Sequence, residues 1–207
     1  MSTTNVHDEL IDTLRTATLT VDPWPHSYLP TTLPQELALR LSRSFDGFAM
    51  QSCEETEREK SYRFRTTRLD GVSPGSLPDQ GWAALVDVLS GPAYRETISE
   101  LTHVPLDGSE LTLSLWEYQS GDWLAAHVDK PDKIVTQIFY LTESWQPGDG
   151  GRLLILDTAD AVTPSRTLPP TLGASAVLVR SERSWHAVEA PATTAAHRRS
   201  VTATFWR

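Results

Sequence analysis

Apolar positions recur at helical spacing through the first half of the chain and at every second residue through the second half. Leu37, Leu41 and Phe45 lie four residues apart, and Pro34 suits a first-turn position, so residues 34–45 are predicted to form an amphipathic helix. Trp82, Leu85, Val86 and Leu89 share one face of a second predicted helix, 79–89, and a third is predicted over 92–101. After residue 105 the period changes. Leu111, Leu113 and Leu115 alternate with Thr112, Ser114 and Trp116, the pattern of a two-sided strand. Further strands are predicted over 134–141, 153–156, 176–179 and 201–206, separated by turns rich in Pro, Gly and Asp. The second half therefore reads as a sandwich or barrel, and the helical stripes need one of its sheets as an apolar partner. No repeat or linker-like stretch divides the sequence. A single domain over 1–207 is expected, with 1–105 as helical support and substrate-side segment and 106–207 as the β core.

Composition narrows the function classes. A formal net charge of −9 argues against a general nucleic-acid binder and against a polybasic membrane-surface protein. No run approaches the roughly 18 apolar residues that cross a bilayer, and the first residues lack the layout of a secretory signal. Cys53 is the only cysteine, which excludes an internal disulfide and a zinc site built from several thiolates, and favours a cytoplasmic setting. Nearly all cations are arginine, with lysine only at Lys60, Lys130 and Lys133, a bias attributed to genome base composition. Arg58, Lys60, Arg63, Arg65 and Arg68 crowd one short segment. They form either a solvated face balanced by Glu54, Glu55, Glu57 and Glu59, or an anion-recognition site. The sequence leaves oligomeric state open.

Candidate chemistry begins at His127 and Asp129 in WLAAHVDKPDK. Residues i and i+2 of an extended segment project to the same side, so both can reach one ion. His186, in RSWHAV, is the candidate third ligand. Two imidazoles and one carboxylate on one face leave positions open, which suits Fe(II) oxygen chemistry. A lone His-x-Asp occurs often by chance; the order of parts downstream gives it weight. After it come IVTQIFYL, then WQPGDGGRLLIL, then SWHAV, then RRSVT.

That order resembles the double-stranded β-helix Fe(II)/2-oxoglutarate oxygenases, and most of all their prolyl-hydroxylase-like branch, over roughly residues 111–207. The resemblance implies a mainly β fold, a jelly-roll core with N-terminal helices packed on one sheet. It implies Fe(II) at His127, Asp129 and His186, with 2-oxoglutarate and O₂ as cosubstrates. It also implies that Arg198, two residues before Ser200, binds the far carboxylate of 2-oxoglutarate. Strand alternation supports that choice: Arg198, Ser200, Thr202 and Thr204 share a polar face, while Arg199, Val201, Ala203 and Phe205 share the other. The gap of 198 − 186 = 12 residues predicts a longer turn before this strand. Tyr140, on a face with Thr136 and Ile138, is placed beside the same carboxylate, and Tyr118 is placed in the pocket wall. Core packing is the alternative for both tyrosines. Gly150 and Gly151 match a tight turn before Leu153. Related halogenases carry a small residue in place of Asp129, so hydroxylation is expected over chlorination.

The N-terminal half, with PWPHSYLPTTLPQELALRL and KSYRFRTTR, resembles small family members that act on free amino acids. The expected reaction is hydroxylation of an unactivated C–H bond of a free amino acid or similar small metabolite, releasing succinate and CO₂. Arg63 or Arg65 is expected to pair with the substrate carboxylate, because Tyr62 and Phe64 face the other way. The alternatives are hydroxylation of a residue such as proline in a protein or peptide, and a non-catalytic metal-binding β-barrel.

Overall fold

The computed structural model describes residues 3–57, 60–192 and 197–207. Arg58 and Glu59 of the charged run, and residues 193–196 of the turn expected before Arg198, lie outside the described residues. Four α-helices are present there: α1 (Thr3–Arg15), α2 (Gln35–Ser44), α3 (Gln80–Ser90) and α4 (Pro92–Thr102). Pro34 takes the cap position of α2, which ends in a 3₁₀ turn over Phe45–Gly47. Asp79 caps α3 by accepting the Gly81 N–H at 2.6 Å, which satisfies one orphan donor of the first turn. These three helices match the sequence expectation within a residue or two. α1 has no counterpart in it, although Val6, Leu10, Ile11 and Leu14 recur at helical spacing and are buried.

Eleven strands form one antiparallel sheet: β1 (His26–Leu29), β2 (Gln51–Glu55), β3 (Tyr62–Arg68), β4 (Glu110–Tyr118), β5 (Trp123–His127), β6 (Lys133–Tyr140), β7 (Leu153–Ile155), β8 (Arg166–Leu168), β9 (Ser175–Val179), β10 (His186–Val188) and β11 (Arg198–Trp206). Their order is β1-β9-β6-β11-β4-β3-β5-β10-β7-β8, with β2 added to β3. The sheet rolls up so that Leu153 of β7 and Val188 of β10 line the same cavity as Ile138 of β6 and Leu178 of β9. This is a double-stranded β-helix nearly closed as a barrel. The first half is more than helical support, because it supplies β1, β2 and β3. β3 joins the two sides of the roll: Arg65 to Arg68 pair with β4, while Tyr62 and Arg63 pair with β5.

Strand pleating sorts the residues into two layers. Leu113 and Leu115 of β4, Phe139 of β6 and Val201, Ala203 and Phe205 of β11 face outward. They form one buried cluster with Leu10, Leu37, Leu41, Trp82, Leu85 and Ile98 of the helices. Burying each such leucine stabilises the fold by roughly 1.5–3 kcal/mol. The helices thus cover one face of the sheet, and the opposite face is free to line a cavity. Among the described residues no helix is long and apolar enough to cross a membrane.

Candidate active site

β5 ends on His127, β10 begins on His186, and the two residues are direct cross-strand partners. Their rings lie 4.3 Å apart between centroids. Asp129 follows two residues after His127, and ligand-type atoms of all three side chains lie within 4.8 Å of one another. The backbone orients both imidazoles. His127 Nδ1 lies 2.9 Å from the Ala125 carbonyl oxygen, and His186 Nδ1 lies 2.9 Å from the Ser184 carbonyl oxygen. A carbonyl can only accept, so each Nδ1 donates, and each Nε2 is left to face the site. Burial, with His127 close by, lowers the pKa of His186 to about 3, so its ring is neutral near pH 7. Burial penalises the Asp129 carboxylate, but His127, Lys133 and His186 outweigh it and hold its pKa well below the usual range. Lys133 Nζ donates to Asp129 Oδ1 at 2.7 Å. Two imidazoles and one carboxylate are a donor set fit for a divalent transition metal.

A second feature lies on β4, β6 and β11. Arg198 opposes Tyr118 across β4, and Ser200 opposes Tyr140 across β6. The Arg198 guanidinium carbon sits 4.9 Å from the Tyr118 ring centre and 5.2 Å from that of Tyr140. Tyr140 Oη, Arg198 Nε and Ser200 Oγ are buried with no hydrogen-bond partner among the described residues. Each such orphan costs roughly 1–3 kcal/mol, so three together call for an acceptor-rich ligand. All three can donate, and burial raises the Tyr140 phenol to about 12, which keeps it protonated. The distal carboxylate of 2-oxoglutarate fits this donor set. Gly150 and Gly151 make room behind it with φ of +69° and +71°. A Cβ on Gly150 would collide with the Ala190 carbonyl oxygen, and one on Gly151 would stand 3.3 Å from Arg198 Cβ.

The family model described as the 2OG-Fe(II) oxygenase superfamily matches residues 113–206, the span that contains both features. Over that span, a little under half of the chain, the sequence is similar to that superfamily. No curated protein matches it by sequence. Solved structures similar in fold include a prolyl-4-hydroxylase from Pseudomonas putida, at 23% identity and TM-score 0.60, covering 98% of this chain and 99% of that one. A Trichoplax adhaerens prolyl hydroxylase, solved with a hypoxia inducible factor peptide fragment, is 14% identical at TM-score 0.62, covering 99% and 90%. A Burkholderia pseudomallei 2OG-Fe(II) oxygenase family oxidoreductase is 13% identical at TM-score 0.65, covering 97% and 90%. The protein is a 2-oxoglutarate-dependent dioxygenase, and its cofactors are Fe(II), 2-oxoglutarate and O₂.

In this oxygenase the triad, Arg198, Ser200, Thr136 and Tyr118 line one cavity of about 290 Å³, with Tyr140 buried beside Arg198. Thr136 Oγ1 also contacts Thr204 Oγ1 at 3.4 Å. Arg63 and Arg65 do not reach the cavity. Arg63 Nε donates to Asp122 Oδ1 at 2.8 Å, and its other end donates to the Gly121 carbonyl oxygen. Arg65 pairs with the buried Glu117 at 3.3 Å and donates to Gln119. The structure does not bring Arg63 or Arg65 to the cavity, because the pleat of β3 turns both guanidiniums to these outer partners and turns Tyr62 and Phe64 into the cavity. The same pleat carries Lys60 inward, two residues before Tyr62. Lys60, Lys130, Lys133 and Trp116 are lining residues that the sequence reading did not assign to the site. Burial, only partly offset by Asp129, lowers the Lys60 ammonium to about 8. The signal for Lys60 was present in the alternation of K-S-Y-R-F, one step upstream of the arginines.

Proposed function

We propose that this oxygenase hydroxylates an unactivated C–H bond of a small metabolite, such as a free amino acid or related acid, with release of succinate and CO₂. The observation that carries the reading is one cavity joining the His127, Asp129 and His186 donor set to the orphaned donors of Tyr140, Arg198 and Ser200. His127, Asp129 and His186 would hold Fe(II), and Arg198, Tyr140 and Ser200 would hold the far end of 2-oxoglutarate, with Thr136 in the adjoining wall. Bound there, the metal, cosubstrate and O₂ supply the oxidising power for C–H cleavage. Arg198 neutralises a carboxylate that would otherwise be costly to bury, and the Tyr140 phenol adds a donor to it. Ile138, Leu153, Leu178 and Val188 keep the walls apolar and exclude water. Asp129 occupies the position at which halogenases need a small side chain, which supports hydroxylation.

The cavity volume supports a small substrate, because about 290 Å³ lies at the low end of the roughly 300–1,000 Å³ of small-ligand pockets. A second reading, hydroxylation of a residue in a peptide, draws on the likeness to prolyl hydroxylases, one of them solved with a peptide fragment. A non-catalytic metal barrel has no use for the Arg198 donor set. The test is a screen under Fe(II), 2-oxoglutarate and O₂ of amino acids, small organic acids and proline-containing peptides, scored by succinate and by product mass. A small molecule that gains one oxygen atom with matching succinate is the expected result. Stimulation by peptides alone moves the assignment to the second reading.

A further inference from the structure

The chain has three lysines, and all three line the active-site cavity. Lys60 approaches just ahead of β3, while Lys130 and Lys133 come from the turn and start of β6. Elsewhere the surface meets its carboxylates with arginine, as at Arg40–Asp79, Arg68–Asp70 and Arg152–Glu189. Acidic residues outnumber Lys and Arg 27 to 18, yet among the described residues Asp129 is the one acidic residue in the cavity wall. Lys133 spends its charge on Asp129. Lys60 and Lys130 form no ion pair and no side-chain hydrogen bond among the described residues. Lys60 is moreover only partly exposed. A half-buried cation with no direct ion-pair partner and only Asp129 at a distance recovers its lost hydration when an anion arrives, and a cluster of cations in a low-dielectric cleft draws anions in.

The wall beside these lysines is aromatic. Tyr62 and Phe64 stack at 4.9 Å, and Phe64 meets Trp116 at 4.6 Å. Trp116 Nε1–H donates to Thr202 Oγ1 at 2.9 Å, which fixes the indole. Lys60, Tyr62 and Phe64 occupy alternate positions, so the charge and the rings face the same space. The far carboxylate of 2-oxoglutarate already has its donors in Arg198, Tyr140 and Ser200, so Lys60 and Lys130 remain for a different anion.

We propose that Lys60 and Lys130 are substrate-binding residues, and that the substrate is an organic anion with an apolar body lying against Tyr62, Phe64 and Trp116. This rests on the hydroxylase reading and narrows it. Because the described residues of the cavity offer no carboxylate to a substrate ammonium besides Asp129, a carboxylic acid without a free amine fits better than a zwitterion.

The test uses the full chain loaded with Mn(II) and 2-oxoglutarate, so that binding is read without turnover. The probes are 4-methylpentanoate and 3-phenylpropanoate, each beside its neutral amide, together with L-leucine and L-phenylalanine. With so few lysines, acetylation by an amine-reactive ester is read site by site by mass spectrometry. The two acids are expected to slow acetylation of Lys60 and Lys130 at concentrations where the amides do not. By calorimetry, Lys60→Gln and Lys130→Gln should each weaken acid binding by about tenfold, the loss that goes with one charge-assisted hydrogen bond. Lys60→Arg should retain most of the affinity, and Arg65→Gln, on the outer face, should leave the preference for acid over amide intact. Acids and amides that protect alike, acids that fail to protect, or Gln variants that bind the acids normally overturn the proposal. Amino acids that bind as tightly as the acids overturn the preference for a net anion. Succinate release under Fe(II) is followed in parallel. Its absence under every condition overturns the hydroxylase reading, whereas succinate release with lysine-independent binding overturns only the lysine assignment.

Discussion

Arg198 and Arg199 stand side by side on β11, and the pleat sends them to opposite faces. Arg198 enters the cavity between two tyrosines with its Nε unpaired, while Arg199 packs over Phe45 and donates to Glu117 at 2.9 Å. Arg198→Ala is therefore expected to weaken 2-oxoglutarate binding to the Mn(II)-loaded protein by about tenfold or more. Arg199→Ala should leave that affinity nearly unchanged and lower stability instead, because the buried Glu117 loses a partner. Calorimetric titration and urea melts separate the two, and the reverse ranking would mean that β11 is out of register by one residue. His186 gives a pH prediction at the same scale. Its folded pKa of about 3 lies below the unfolded value near 6.5, so the unfolded chain takes up the proton first. Its contribution is complete above pH 6.5 and is lost as pH falls from there towards 3, at up to about 1.4 kcal/mol per unit. Asp129 acts in a lower window, below the ordinary carboxylate value of 3.8. Urea melts of the metal-free protein between pH 7 and 4 should show this slope, and His186→Asn should flatten it. An unchanged slope in the variant would count against the assignment.

Among the elements, the long periodic ones were legible, as were the short apolar runs of β7 and β9, but β1 and β8 were not. α2, α3 and α4 show apolar stripes and start signals, and β4 and β11 alternate over nine residues each. β1 has four residues, and both His26 and Ser27 within it are buried, so no alternation marks it. β8 has three residues, too few for any period. These strands exist because neighbours in the rolled sheet offer them partners: β9 for β1 and β7 for β8. α1 is a different case, since its stripe is plain in the sequence. It packs on α3 and α4, and Leu10 within it is fully buried. Leu10→Ala is expected to cost roughly 2–5 kcal/mol by leaving a cavity in that contact. Chemical denaturation measures it, and a cost near zero would show that α1 lies loosely on the other helices.

At the scale of the whole molecule, one buried cluster joins helices of the first half to β4, β6, β9 and β11. Residues 1–207 are accordingly proposed to unfold as a single cooperative unit, with tryptophan fluorescence and far-ultraviolet circular dichroism changing together in urea. Two separated transitions would divide the chain into independent parts. The sequence by itself pointed to the chemistry through a resemblance: His127-x-Asp129, a later histidine and an arginine two residues before Ser200 follow a family order that implies a metal and an anion, a donor set suited to Fe(II). It also determined which residues share a strand face, because the pleat has a period of two. Which face meets the cavity was decided only by the tertiary structure. Alternation put Arg63 and Arg65 on the face opposite Tyr62 and Phe64 and left open whether that face met substrate or solvent; rolling β3 between β4 and β5 turns Tyr62 and Phe64 to the site and leaves the arginines to outer carboxylates. The convergence of Lys60 with Lys130 and Lys133 had the same origin. Residues that far apart in sequence meet only when the sheet closes, and no local pattern carries that information.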